Sequence, residues 1–383
     1  MTQNLDLRAY ALRTDLAVEA VESMEQVDQQ AAKVKEDGSP SIDGIEKRTE
    51  ILEDGAIRVI YLDILTEEAE KKLGKVRGAY MTLEMPGLRS GDSVFREKAT
   101  DIFFKALTKF LKQLHLNRVE NILVIGLGNK NVTADALGPV AVDHLLVTRH
   151  LFLYAPESVA SGYRSVSALA PGVLGTTGIE TGEIVEAVVT SSQPDLVVVI
   201  DALAARSLER LYTTIQVSDT GIQPGSGIGN KRRPLNRETL GVPVIAIGVP
   251  TVVDATTVAT DTIELLLKHF GYQLRQGTAT KTNKRQALVP DFMPLYDRPP
   301  IFRDEDELSP ELKERLFGQF GVLTDEEKYA LIREVLQPLG YNLIVTPKDV
   351  DAFIEDVGQL LAVALNRVFH EKVHKDNAAM VTH

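Results

Sequence analysis

Residues 118–139 read R-V-E-N-I-L-V-I-G-L-G-N-K-N-V-T-A-D-A-L-G-P, and this stretch decides the predicted fold. An apolar run, Ile122 to Ile125, stops at Gly126. The run is too short for its periodicity to separate strand from helix, but its β-branched content and the glycine stop favour a buried parallel strand. After a glycine-containing turn, Asp135 stands just ahead of A-L-G-P, where a helix can begin. Because ligands of open α/β sheets collect at the carboxyl ends of strands, Asp135 is predicted to lie at a site.

A second stretch, residues 194–206, has the same design and reads P-D-L-V-V-V-I-D-A-L-A-A-R. Leu196 to Ile200 is again an apolar run, and Asp201 follows at once, ahead of a segment that favours a helix start. If the two strands are neighbours, they place two carboxylates side by side.

Strands and helices alternate from residue 121 to residue 270, which predicts an α/β fold with three layers. A mostly parallel central sheet is expected between helices on both faces. The predicted core spans about residues 50–272, an irregular excursion spans 275–320, and carboxyl-terminal helices span 324–375. Residues 16–383 are interpreted as a single domain.

Composition limits the function classes. The chain has 383 residues, 44% hydrophobic and 25% charged, which is typical of a globular protein, and its net charge of -12 argues against a general nucleic-acid binder. The absence of cysteine excludes disulfides, zinc–thiolate sites and cysteine nucleophiles, and fits a cytosolic protein. The first residues do not resemble a secretory signal, and no apolar run is long enough to span a membrane.

Two aspartates at strand ends indicate acid–base chemistry. Each alone is more simply a helix N-cap, whereas the pair favours a site. Two adjacent carboxyl groups share a proton, so one can activate water while the other polarises a carbonyl. The same pair could instead hold a divalent metal. Nucleotide binding is not expected, because Asn131 occupies the third glycine position of the dinucleotide fingerprint.

Two glycine-rich segments, residues 170–178 and 218–230, are predicted to line a peptide groove, although a plain surface loop explains the second about equally well. The groove candidates share small or polar side chains near predicted strand ends. They are Gly126, Gly128, Asn129, Gly172, Gly175, Ser218, Asp219, Thr220, Gly225 and Gly227.

Several long motifs resemble the germination protease family of endospore-forming bacteria. They are I-G-L-G-N-K-N-V-T-A-D-A-L-G-P at 125–139, A-P-G-V-L-G-T-T-G-I-E-T at 170–181, I-D-A-L-A-A-R at 200–206, S-D-T-G-I-Q-P-G-S-G-I-G-N-K-R at 218–232 and G-V-P-V-I-A-I-G-V-P-T-V-V-D-A at 241–255. The resemblance implies an atypical aspartic endopeptidase with a core like that of hydrogenase-maturation peptidases, with Asp135 and Asp201 as its catalytic pair.

The resemblance further implies a homotetramer, made as a zymogen in the cytoplasm of the forespore or spore core, that degrades small acid-soluble spore proteins. It implies no cofactor, no metal and no direct contact with nucleic acid or membrane. Residues 14–19, T-D-L-A-V-E, imitate the cleavage pattern of the family's substrates, so self-cleavage between Asp15 and Leu16 is predicted to release residues 1–15 as a propeptide.

Three alternatives remain open. A metal-dependent peptidase could use the same two acids, and a binding partner could hold spore proteins without cutting them. A hydrogenase maturation factor is less favoured, because the expected metal-binding histidine has no clear counterpart.

Overall fold

The computed structural model describes residues 14–27, 33–34, 40–41, 43–223, 233–279, 308–336 and 343–381. These residues fall into two units. The larger unit contains the described residues from 14 to 253 and from 344 to 381, and the smaller unit contains those from 254 to 343.

The strands form a two-stranded ribbon, β1–β2, and a nine-stranded sheet. In chain order they are β1 Lys33–Val34, β2 Pro40–Ser41, β3 Ile45–Leu52, β4 Ile57–Ile64, β5 Gly78–Glu84, β6 Asn121–Gly126, β7 Ser165–Leu169, β8 Leu196–Ala205, β9 Thr214–Ser218, β10 Val244–Asp254 and β11 Ile344–Val345. The sheet order is β3-β4-β5-β9-β10-β8-β6-β7, with β11 paired to β10.

The sheet has two halves with different pairing. Strands β10, β8, β6 and β7 pair in parallel, as expected for strands joined by helical crossovers. Strands β3, β4, β5 and β9 are antiparallel, and β9 joins the halves by pairing antiparallel with β10. The predicted central sheet flanked by helices is confirmed, but the expected parallel pairing describes only the first half.

The helices of the described residues belong to both units. In the larger unit they are α1 Ala17–Val27, α2 Glu67–Leu73, α3 Ser93–Gln113, α4 Leu137–Asp143, α5 Arg149–Tyr154, α6 Leu174–Thr177, α7 Thr181–Ser192, α8 Arg237–Leu240, α12 Val350–Phe369 and α13 Lys375–Val381. In the smaller unit they are α9 Ala255–Ala279, α10 Pro310–Phe317 and α11 Asp325–Leu336.

Alternate side chains of the parallel strands face different helices. On one face, Val185 and Val189 of α7 pack with Leu123, Ile125 and Val199 in one buried cluster. On the other face α4 packs on β6 and β8, and α12 packs on α4 and α3. The alternation of buried side chains on both faces explains why these strands are apolar throughout.

One predicted element is wrong. The segment after Asp201 continues as strand rather than helix.

The smaller unit is helical in its described part. The predicted irregular excursion begins inside α9 and ends beyond α10, so it is not irregular throughout. Within this unit the rings of Phe270 and Phe317 lie 6.1 Å apart, and α9 packs against α11. No helix among the described residues has the length and apolar content needed to cross a membrane. The single domain over residues 16–383 stays a prediction.

Candidate active site

Asp201 lies inside strand β8 rather than at its end. It is buried, with 8% of its surface exposed, and it stands opposite Gly248 of β10. The β8 ladder extends to Ala205 because β10 continues beside it, pairing Val253 with Ala205. Asp201 is therefore not a helix N-cap, which removes the simpler explanation of this aspartate.

Asp135 is held by a tight turn between β6 and α4. It ends a short 3-10 helix, Thr133–Asp135, and its Oδ2 accepts a hydrogen bond of 2.8 Å from the backbone N–H of Asn129. Gly128 has a φ of +113°, and a Cβ there would lie 1.9 Å from the carbonyl oxygen of Asp135, so the turn needs glycine. The N-cap of α4 is Ala136, which leaves Asp135 for another role.

Hydrogen bonds join the Asp135 turn to the parallel strands. The Thr251 hydroxyl donates to the carbonyl of Ala134 at 2.6 Å, and the Thr346 hydroxyl donates to the carbonyl of Thr251 at 3.0 Å. The backbone N–H of Leu127 donates to the carbonyl of Ile200 at 2.8 Å. These bonds fix the turn against β8 and β10, the strands around Asp201.

Asp135 and Asp201 line one cavity of about 560 Å³. Tyr80 also lines it, and burial raises the pKa of this phenol to about 12. Its hydroxyl donates to the carbonyl of Val76 at 2.7 Å, so Tyr80 remains neutral and is not a base at ordinary pH. Tyr80 thus contributes a neutral polar group to the cavity that holds Asp135 and Asp201.

Asp15 lines the same cavity and pairs with the end of β8. Its N–H donates to the carbonyl of Ala204 at 3.2 Å, and its Oδ2 accepts from the N–H of Ala204 at 2.9 Å. The Gln216 side chain donates through Nε2 to the carbonyl oxygen of Asp15 at 3.2 Å, and its Oε1 accepts from the N–H of Ala17 at 2.6 Å.

Lys75 is the one basic side chain among the described residues that line the cavity. Its Nζ donates to the carbonyl of Thr14 at 2.7 Å. Burial lowers the pKa of Lys75, and the nearby charges of Asp15 and Glu19 act in the opposite direction. The Lys75 amino group therefore lies beside the acidic residue that precedes the predicted cleavage point.

The residues after Asp15 are built into the core. Leu16 is fully buried and clusters with Val18, Ile60 and Leu203, residues from α1, β4 and β8. The Glu19 carboxylate, 3% exposed, accepts hydrogen bonds from the N–H of Arg206 and of Ser207 at 2.9 and 3.0 Å. The Thr14 hydroxyl also donates to the Glu19 carboxylate, so the chain is anchored on both sides of the predicted cut.

The groove candidates divide into three groups. Gly128, Gly172, Ser218 and Thr220 line the cavity with the two catalytic candidates. Gly126, Asn129, Gly175 and Asp219 lie outside that lining; Asp219 accepts a hydrogen bond of 2.8 Å from the N–H of Ala79, between β5 and the end of β9. Gly225 and Gly227 are outside the described residues.

A metal centre is not formed by the described residues. Across these ranges no three His, Cys, Asp or Glu side chains group as a metal site would require.

The model of the germination protease family matches residues 17–382. The chain belongs to the germination protease family. As a family member it is a peptidase, a hydrolase associated with spore germination.

Curated relatives of this germination protease family member are similar along their whole length. The germination protease of Geobacillus sp. (strain WCH70) is 49% identical over 385 residues, covering 100% of each chain. That of Bacillus subtilis (strain 168) is 49% identical over 380 residues, covering 99% of each. A solved structure, the nickel–iron hydrogenase maturation protease HycI from Thermococcus kodakarensis KOD1, shares 20% identity at a TM-score of 0.26, covering 38% of this chain and 80% of that one.

Two residues of this family member were missed in the sequence: Lys75 and Gln216. Gln216 gave little signal, because T-I-Q-V-S alternates polar and apolar residues as an ordinary half-buried strand does. Lys75 belongs to an ordinary polar turn, so it does not differ locally from a solvated charge.

Proposed function

We propose that this chain is an endopeptidase that starts the degradation of small acid-soluble spore proteins, made as a zymogen that cuts itself between Asp15 and Leu16. Asp135 and Asp201 share the acid and base work. The observation that carries the proposal is that Asp15 lines the same cavity as Asp135 and Asp201. An acid at the predicted cut is thus already inside the candidate active site.

The docking of residues 14–19 supports self-cleavage. The backbone N–H of Asp15 donates to the carbonyl of Ala204, and its side-chain Oδ2 accepts from the N–H of Ala204, so Asp15 is docked on the end of β8. Gln216 bonds on both sides of the predicted scissile bond, to the carbonyl of Asp15 and to the N–H of Ala17. The bond is therefore presented in a fixed geometry, which is a large part of what a peptidase supplies.

Lys75 supports a preference for an acidic residue before the cut. It contacts Thr14, and its amino group lies near Asp15 in a cavity whose other described ionisable lining groups are acids and a neutral tyrosine. Asp15 leaves with the propeptide, whereas Lys75 and the Ala204 N–H remain. We infer that they then receive the corresponding acid of a spore protein.

A pair of carboxyl groups can hydrolyse a peptide when one is ionised and the other is protonated. The ionised group removes a proton from water, and the protonated group donates to the departing amine. We assign these two roles to Asp135 and Asp201 jointly. Homotetrameric assembly and action in the spore core belong to the same proposal and rest on the family resemblance.

The decisive experiment is mass spectrometry of the full-length chain held at mildly acidic pH. We expect loss of residues 1–15 from the wild type and retention of them in Asp135→Asn and Asp201→Asn variants whose circular dichroism matches the wild type. Cutting at another bond, or processing of both variants at the wild-type rate, would contradict the proposal. A purified spore protein that stays intact with processed enzyme would favour a non-cleaving binding partner.

A further inference from the structure

Gln216 occupies a position that the acid pair does not explain. It lies in the middle of β9 with 8% of its surface exposed, although its neighbours in the strand are apolar. In the sheet register it stands opposite Gly248, which in turn stands opposite Asp201. Directly opposed residues point to the same face, so Gln216 and Asp201 flank a glycine at a separation of two strand spacings, about 10 Å.

The carboxamide of Gln216 bridges the predicted scissile bond. Its Oε1 accepts from the N–H of Ala17 at 2.6 Å, and this backbone group is a donor only. The amide orientation is thereby set, so Nε2 is the end that faces the carbonyl oxygen of Asp15, 3.2 Å away. That oxygen belongs to the peptide bond between Asp15 and Leu16.

We propose that Gln216 is a catalytic residue, the hydrogen-bond donor that stabilises the oxyanion formed on the scissile carbonyl. The inference rests on the cleavage between Asp15 and Leu16 proposed above and adds a third group to the two acids. Its reason is chemical: a donor already placed on the carbonyl oxygen contributes more once that oxygen carries negative charge.

The reaction step balances with these groups. A water oxygen bonds to the carbonyl carbon of Asp15, one water proton passes to the ionised carboxylate of the acid pair, and the carbonyl π electrons move onto the oxygen that Gln216 contacts. When this intermediate collapses, the bond to the Leu16 nitrogen breaks and that nitrogen takes the proton of the other carboxyl group. One water is consumed, giving a carboxyl group on Asp15 and an amine on Leu16.

The test is the first-order rate of self-processing of full-length Gln216→Glu. This variant keeps the size of the side chain and an oxygen that accepts from Ala17, but its carboxylate has no donor for the oxyanion. We expect processing to slow by about 100-fold or more, the usual effect of removing one such donor. Hydrogen exchange of the peptide containing Ala17 should stay close to that of the wild type, which shows that the segment remains docked.

Thr82→Val is the matched control, because Thr82 is buried beside Gln216 on β5, is opposite it in register and does not line the cavity. It should process at close to the wild-type rate. Processing of Gln216→Glu within about threefold of the wild type, at the same bond, would overturn the assignment while leaving the two aspartates in place. Wild-type cleavage at a different bond would instead overturn the proposed function, so the two failures are distinguishable.

Discussion

The two halves of the sheet contribute different things to the cavity. The parallel half carries Asp201 and supports the turn that holds Asp135, and its strands are buried by helices on both faces. The antiparallel half carries Gln216 on β9, and Lys75 lies in the turn between α2 and β5. Helix α1 packs against this half, with Val21 in one cluster with Leu62 and Tyr80.

The parallel half supplies the candidate catalytic groups, and the antiparallel half supplies contacts that hold a peptide segment. The parallel half offers the two candidate carboxyl groups, Asp201 within β8 and Asp135 in the turn after β6. The antiparallel half offers backbone and side-chain partners for a peptide segment. The proposed zymogen would need both, because its own chain would be the first substrate to be held and cut.

Asp201→Asn tests the catalytic role of the parallel half and has the largest expected effect. Loss of one member of an acid–base pair should slow self-processing by about 10³-fold without unfolding the sheet. The processing rate followed by mass spectrometry checks this. Asp143→Asn, at an exposed acid of α4, is the control and should process normally.

Acid should lower the unfolding free energy through His370, which is bonded to Arg164 just before β7. Its Nδ1 accepts from the N–H of Arg164, its Nε2 faces the carbonyl of Leu146, and burial lowers the pKa of His370 from 6.5 to about 4. Because the folded pKa is the lower one, its stabilisation is complete above about pH 6.5 and is lost as the pH falls toward 4, up to about 3 kcal/mol of unfolding free energy.

Urea unfolding at pH 7 and pH 4.5, followed by circular dichroism, measures this loss. His370→Gln should lose less stability between the two pH values than the wild type does. His150→Gln, at an exposed histidine of α5, should lose as much as the wild type. Equal losses in all three proteins would remove His370 as the acid-sensitive group.

Val21→Ala tests the packing of α1 on the antiparallel half of the sheet. Val21 is 1% exposed in the cluster between α1 and the antiparallel strands, so its truncation should lower the unfolding free energy by about 2 kcal/mol. Val94→Ala, at a valine that is 61% exposed, should have no comparable effect. A Val21→Ala protein as stable as the wild type would mean that α1 is not part of the cooperative unit.

Lys75→Met tests the contact of Lys75 with Thr14 and Asp15. Removing the bond to Thr14 and the charge near Asp15 should slow self-processing about tenfold, whereas Lys75→Arg should retain most of the rate. In a double-mutant cycle, Asp15→Asn should cost less in the Lys75→Met background than in the wild type. Additive effects would show that Lys75 does not interact with the Asp15 carboxyl group.

Chelation has the smallest expected effect. Processing measured in excess EDTA should match processing in buffer alone, because the proposed mechanism uses two carboxyl groups and water. A loss of activity that zinc or another divalent cation restores would instead favour the metal-dependent peptidase and give the parallel half a second role.

The sequence determined the parallel half of this protein well. Continuous apolar runs are the mark of strands buried on both faces, and the runs before Gly126 and Asp201 are both such strands. The choice of Asp135 and Asp201 followed from those runs, and the structure places both on one cavity. These strands could be predicted because burial on two faces produces a continuous apolar run, which is visible in the sequence without knowing the neighbouring strands.

Tertiary structure decided the rest. The A-L-A-A segment after Asp201 favours a helix by propensity, yet it is strand because β10 supplies hydrogen-bond partners as far as Ala205. Strand β3 was missed because it is mostly exposed and polar, although it pairs along its whole length with β4. The meeting of Asp15 with Gln216 depends on strand order and register, which distant parts of the chain set together and no local pattern contains.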